Sequence, residues 1–166
     1  MDSRALLAEI PRLRRYARAL LGNCAAADDL VQDTLERAWV RVAQWRVGTD
    51  LRAWLFCIMH NLRIDQSRRP ALSVLSPAGD DFDAPARATQ TDALEVSALE
   101  SALGELPDEQ REVLLLLALE EMSYGEIAAT LCIPVGTVMS RLSRGRERLR
   151  QIMDGQPSAA RLKVVR

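Results

Sequence analysis

The chain has 166 residues, 48% of them hydrophobic and 27% charged, a globular balance with room for one ordinary domain or two small helical ones. Aromatics make up only 4%, so any core must be built from Leu, Val, Ile and Ala. The net charge of −1 excludes a uniformly basic or acidic protein but conceals a segregation of charge along the chain.

Residues 1–69 carry 12 Arg against 8 acids, 70–109 carry 9 acids and one Arg, and 134–166 carry 8 basic residues against 2 acids. Every basic side chain except Lys163 is Arg, the better residue for planar, bidentate contacts. Two basic blocks around an acidic one keep nucleic acid open as a partner. The longest apolar run, Val113 to Leu119, is far short of the ~18 residues of a membrane span. Met1-Asp2-Ser3-Arg4 leads into a charged amphipathic segment rather than a signal peptide, so a cytoplasmic protein without membrane insertion is expected. Cys24, Cys57 and Cys132 have no metal-ligand or redox spacing, and His60 is the only histidine. Reduced, mostly buried thiols and no metal or other cofactor are the expectation.

The periodic stretches have helical spacing. Leu13, Tyr16, Leu20 and Leu21 share a face of the first helix, with Pro11 in its first turn and Gly22-Asn23 as its stop. A second helix runs from about Ala25 to Trp45, with Val31, Leu35, Ala38, Val42 and Trp45 on its apolar stripe. Opposite lies a polar stripe of Asp29, Gln32, Asp33 and Glu36, which taken alone reads as a solvated face. After a loop at Val47-Gly48-Thr49, Asp50 caps a third helix with Leu51, Leu55, Ile58 and Leu62 on one stripe, ending near Arg69. Trp45 has two readings, base stacking or core, of which its place on the Val31–Val42 stripe favours core, and Trp54 is read as core as well. Residues 70–90, with Pro70, Pro77, Pro85, Gly79 and the run Asp80-Asp81-Phe82-Asp83, read as a flexible linker extended by its own charge. Helical spacing returns at Val96, Leu99, Leu103 and Leu106, and another helix follows Pro107.

Residues 123–150 carry the sharpest local signal. Ser123-Tyr124-Gly125-Glu126 forms a capping box ahead of a short helix with Ile127, Ala128 and Leu131 inside. A turn at Cys132-Ile133 follows, and Pro134 opens a last helix with Val138, Leu142, Gly145, Leu149 and Ile152 as its buried stripe. Thr137, Ser140, Arg141, Arg144 and Arg148 lie on the other face. A basic terminal helix by itself is usually a solvated face. A short capped helix, a tight turn and an Arg-lined helix together are a helix-turn-helix, whose second helix enters the major groove. The fold class is therefore all-α: two small helical domains, 1–69 and 91–153, joined by a flexible acidic linker at 70–90, with a tail at 154–166.

Leu106-Pro107, Gln110-Arg111-Glu112-Val113, Ser123-Tyr124, Glu126-Ile127-Ala128 and Pro134-Val135-Gly136-Thr137-Val138 through Ser140-Arg141-Leu142 resemble region 4 of the extracytoplasmic-function (ECF) sigma factors, which reads the −35 promoter element. Glu121, Gly125 and Cys132 depart from that pattern. A non-Gly residue forced into the left-handed region there would cost on the order of 1 kcal/mol. In the first domain, Ala27-Asp28-Asp29-Leu30-Val31-Gln32-Asp33 and Ala38-Trp39 resemble the sigma segment that docks on the clamp helices of the largest polymerase subunit. That makes Asp29, Gln32 and Asp33 candidates for binding core RNA polymerase. Arg52-Ala53-Trp54-Leu55, then Asn61, Asp65, Arg68 and Arg69, resemble the region that reads and opens the −10 element, and the loop Gln44 to Asp50 its base-capturing loop. The resemblance implies a sigma factor with core RNA polymerase, promoter DNA and an anti-sigma factor as partners.

An enzyme lacks its parts here: His60 has no nucleophile beside it in sequence, and there is no Gly-rich phosphate loop. A stand-alone repressor would leave the first domain unexplained. A sigma mimic, which binds an anti-sigma protein without reading DNA, is the nearest alternative. Such a mimic is expected to lose promoter-reading residues such as Asn61, Arg141 and Arg144.

Overall fold

The computed structural model describes residues 3–45, 49–68 and 90–155, which hold seven α-helices and one 3₁₀ turn. The helices are α1 (Ser3–Leu21), α2 (Cys24–Val40), α3 (Leu51–Arg68), α4 (Gln90–Gly104), α5 (Asp108–Glu120), α6 (Tyr124–Leu131) and α7 (Val135–Met153). Most of the expected linker (70–89) and the tail from 156 onward lie outside the described residues.

Local chemistry sets most of the boundaries. Gly22 takes the left-handed conformation (φ +64°) that ends α1. Asn23 then caps α2, its Oδ1 accepting from the Ala26 amide at 2.9 Å. Asp50 caps α3 in the same way, accepting from the amides of Arg52 (2.9 Å) and Ala53 (3.4 Å). The Ser123–Glu126 capping box is complete in both directions.

Two boundaries differ from the expectation. The first helix begins two turns before Pro11, which sits inside α1. Proline lacks the amide that would bond to the Leu7 carbonyl, and both residues are exposed, where water can take that role. The second helix stops at Val40 instead of Trp45, giving way to the 3₁₀ turn Val42–Gln44. The tighter turn carries Trp45 off the core stripe. With Trp54 it lines a cleft between α3 and α6, and both tryptophans are only half-buried.

The first half packs α1 on α2 and α2 on α3 around Leu13, Leu20, Leu30, Leu55 and Met59. Tyr16 and Phe56 meet edge to face, centroids 4.9 Å apart. In the second half α5 is the hub, touching α1, α6 and α7. Its apolar run explains this: a helix apolar on most sides must be buried on most sides, and Val113 to Leu116 are all inside. A Cβ on Gly145 would come within 2.9 Å of Leu114 Cδ1, so α7 lies close against α5. Leu149 and Ile152, expected inside, are half-buried, and Val96 and Leu99 of α4 are exposed.

The two halves also pack on one another, through α1 with α5 and α3 with α6. The seam is polar. Arg15 donates to the Leu119 carbonyl (2.7 Å) and pairs with Glu120, while Arg52 donates to the Glu120 carbonyl (2.8 Å). Two cations thus sit at the C-terminus of α5, where the helix dipole favours them. His60 Nδ1 donates to Glu112 Oε1 at 2.7 Å, and Arg63 reaches Asp108 at 2.5 Å. Arg111 donates to the carbonyls of Leu103, Gly104 and Leu106 and, across the seam, to that of Leu20.

Candidate nucleic-acid and polymerase interfaces

The helix-turn-helix has the predicted elements. After α6 the chain turns on Cys132, in the left-handed region at φ 54°, with the Ile133 amide closing back on the Ala128 carbonyl at 3.0 Å. Glu121, before α6, is also left-handed (φ 52°). Two departures noted in the sequence thus mark two backbone positions that glycine would occupy at lower cost. Pro134 stands at the N-cap of α7, where a missing amide is harmless. Val138, Leu142 and Gly145 are its buried stripe.

The polar residues of α7 are not equivalent. Ser140 and Arg144 are exposed, and Thr137 is half-buried. Ser140 Oγ donates to the Thr137 carbonyl at 3.0 Å. Arg141 is only 21% exposed and pairs with Glu109 of α5 at 2.8 Å, so an acid holds it in place. Arg148 is half-buried, with its Nε enclosed and unpartnered among the described residues. Arg146, which helical spacing did not put on the Arg141–Arg144 face, lines a groove with Tyr124, Met139 and Arg150 beside the start of α6.

On the first half Asp29, Gln32 and Asp33 are all exposed, as expected. Asp33 accepts from Gln66 of α3 at 3.3 Å. It shares a groove of about 280 Å³ with Glu36, Arg37, Val40, Leu62, Asp65 and Gln66. A candidate docking residue and a candidate −10 residue, Asp33 and Asp65, therefore line one groove. Next to it Trp39 and Val40 are 59% and 75% exposed, an apolar rim that the α2 periodicity did not single out. Asn61 is exposed and donates to Cys57 Sγ at 3.6 Å. Arg68 is the last residue of α3, Arg69 lies outside the described residues, and so do residues 46–48 of the candidate base-capturing loop.

The thiols are a correction. None is in a disulfide, but Cys24 and Cys57 are half-buried and Cys132 is exposed, because they fall at helix ends and along the seam rather than in a core. Burial, then the neighbouring Cys132 thiol, pushes the pKa of Cys57 up. Among the described residues, no group of three or more His, Cys, Asp or Glu could hold a metal ion, and no helix is long and apolar enough to cross a membrane.

These features define an all-helical protein whose second half is a helix-turn-helix. Residues 6–60 match the family model described as the Sigma2 domain of PhyR, and residues 97–149 match Sigma-70, region 4. The chain is 38% identical over 149 residues to the ECF RNA polymerase sigma factor EcfG of Rhodopseudomonas palustris, covering 89% of this chain and 82% of that protein. It resembles the sigma factor RpoE of Bartonella quintana, solved with the anti-sigma factor NepR, at TM-score 0.76 and 31% identity over 91% and 95% of the two chains. CnrH, solved with the cytosolic domain of CnrY, follows at TM-score 0.68 and 28% identity over 93% and 88%. The chain belongs to the ECF subfamily of sigma-70 factors.

Proposed function

We propose that this chain directs RNA polymerase to promoters through three surfaces: α7 for the −35 element, α3 for the −10 element, and α2 for core polymerase. Promoter-directed transcription initiation is the activity of the family to which it belongs. On α7, Arg144 is the leading base or phosphate contact because it is exposed, whereas Arg141 must first leave Glu109. Thr137, Ser140 and Arg148 complete the DNA face, with Arg148 nearest the phosphates. On α3, Asn61 reads an unpaired base edge, with Asp65, Arg68 and Arg69 around it. On α2, Asp29, Gln32 and Asp33 bind the polymerase clamp by charge-assisted hydrogen bonds, and the exposed Trp39–Val40 rim adds apolar contact.

The domains are taken as 1–69 and 91–153 on either side of the linker. The chain acts in the cytoplasm and has no catalytic activity of its own, as its relatives are sigma factors rather than catalysts. An anti-sigma factor is proposed as a further partner, since the neighbour RpoE of Bartonella quintana was solved with one. The observation that carries the reading is the presence in one chain, in family order, of a sigma-2 half and a region 4 helix-turn-helix with an exposed Arg144.

A second reading, a sigma mimic, takes support from the first half's match to the Sigma2 domain of PhyR. Run-off transcription with core polymerase and a promoter pool separates the two. A sigma factor yields defined transcripts that depend on Arg144. Binding to an anti-sigma protein with no transcript from any promoter would favour the mimic.

A further inference from the structure

Two cysteines 75 positions apart in sequence lie where α3 packs on α6, at the seam between the halves. Cys57 lies on α3 and lines the cleft of about 420 Å³ that α3 forms with α6, together with Ala129 and Thr130. Cys132 ends α6, and its thiol folds back over that helix's last turn toward the Ala129 carbonyl, 3.7 Å away. Ala129 links the two: it lines the cleft with Cys57 where α3 packs on α6, and its carbonyl lies beside the Cys132 thiol, whose proximity also helps raise the pKa of Cys57. The cleft opens to solvent, and Cys132 is itself exposed, so a small oxidant can reach both. Cys24, at the start of α2, takes no part in this cleft.

We propose that Cys57 and Cys132 are a redox pair whose disulfide clamps the helix-turn-helix half onto the first half. The oxidant is a peroxide. The Cys132 thiolate attacks one peroxide oxygen and the O–O bond breaks, leaving a sulfenic acid on Cys132 and releasing water from hydrogen peroxide. The Cys57 thiolate then attacks the Cys132 sulfur, the S–O bond breaks, and a second water leaves with the proton from Cys57. Two thiols lose two electrons and two protons, and one peroxide is reduced to two waters. The roles follow from access: Cys132 is the exposed member and Cys57 the enclosed one, set to resolve.

The consequence rests on the sigma-factor reading. Two promoter elements separated along a duplex require the α7 and α3 surfaces to move apart. A covalent bond between the end of α6 and the middle of α3 forbids it. In the reduced chain only non-covalent contacts join the halves, from Arg15–Glu120 to His60–Glu112 and the apolar core they share, and contacts with polymerase and promoter can offset their loss. A disulfide does not open that way. The peroxide-treated chain is therefore closed, and thiol reductants reopen it by exchange.

The test uses the full chain, treated with hydrogen peroxide, alkylated and mapped by peptide mass spectrometry. One intramolecular bond joining the Cys57 and Cys132 peptides is expected, with the monomer migrating faster on a non-reducing gel and Cys24 still alkylated. Cys57→Ser and Cys132→Gly should both abolish it. The glycine variant also relieves the left-handed strain at 132, so misfolding does not explain its result. A bond through Cys24, dimers alone, or Cys132 oxidised further with Cys57 still free would overturn the pairing. In run-off transcription the oxidised chain should lose its transcripts, recover them with dithiothreitol, and keep them when Cys57 is Ser. If the oxidised, mapped disulfide form transcribes as well as the reduced form, the clamp is wrong. If the reduced chain gives no transcript at all, the sigma reading has failed, and the mapped bond stands or falls on the chemistry alone.

Discussion

Replacing Arg111 should destabilise the whole chain, although nothing about its place in the sequence marks it as structural. Its guanidinium, 12% exposed, donates at 2.7 Å to the carbonyls of Leu103, Gly104 and Leu20 and at 2.9 Å to that of Leu106. Three of these oxygens close the end of α4 and its turn into α5; the fourth belongs to the last turn of α1. A hydrogen bond from a charged donor contributes about 1.5–3 kcal/mol net, and a neutral one about half that. Four such bonds overcount, because burial of the cation opposes them and pulls the Arg111 pKa down. Arg111→Ala should therefore cost about 3–5 kcal/mol. For a chain of this size each kcal/mol moves Tm by about 2–4 °C, so Tm should fall by roughly 6–20 °C. Arg111→Lys should recover less than half, since one ammonium cannot reach four carbonyls. Arg14→Ala is the control: it breaks only an exposed pair with Asp28 at 3.4 Å, and its cost should stay below ~0.5 kcal/mol. Thermal melts by circular dichroism and urea titrations on the three variants decide the matter. If Arg111→Ala matches Arg14→Ala, those carbonyls are equally well served by water and the bridging role is wrong.

Glu120 is buried with one carboxylate oxygen unpartnered among the described residues, and desolvation raises its pKa despite the opposing hydrogen bond and charge of Arg15. A raised carboxyl pKa means the folded state prefers the proton, so this group's contribution to stability falls as pH rises from its ordinary value near 4.5 through the folded value. Glu120→Gln should accordingly melt higher than the parent at neutral pH and lose that advantage below about pH 4.5; a lower Tm at pH 7 would show that the Arg15 pair outweighs burial. On the proposed DNA face, Arg144→Ala should reduce promoter binding by ~1–3 kcal/mol if it reads a base, or shallow the salt dependence by about one unit of slope if it holds a phosphate. Glu109→Gln should strengthen binding by releasing Arg141, and unchanged affinity in both variants, measured with holoenzyme over a salt series, would remove α7 from the DNA. Gln32→Ala with Asp33→Ala should weaken holoenzyme assembly while leaving the Tm within about 1 °C, since both side chains are exposed. Unaltered affinity for core polymerase in a fluorescence titration would return that stripe to plain solvation.

The sequence by itself determined what short-range chemistry controls. Helix type followed from the spacing of Leu13, Leu20, Leu55 and Val138, because a 3.6-residue period puts them on one face whatever lies opposite. The stops at Gly22-Asn23 and the starts at Asp50 and Ser123 were legible because capping uses atoms within three residues. Asp29, Gln32, Asp33 and Arg144 could be named as exposed because they oppose an apolar stripe. The tertiary structure decided everything that depends on a second element. Arg141 and Arg144 have the same sequence character, and only the approach of α5 gives one of them an acid partner at Glu109. His60, read only as lacking a nucleophile beside it, meets the carboxylate of Glu112 because α3 and α5 come together. Asp33 and Asp65, assigned separate duties, line one groove because α2 packs on α3. Cys57 and Cys132 carry no spacing signal, since a thiol pair across a seam is set by how two halves dock. Periodicity reports only which face of a helix is apolar, and the neighbour that covers the rest is chosen by packing among residues far apart in the chain.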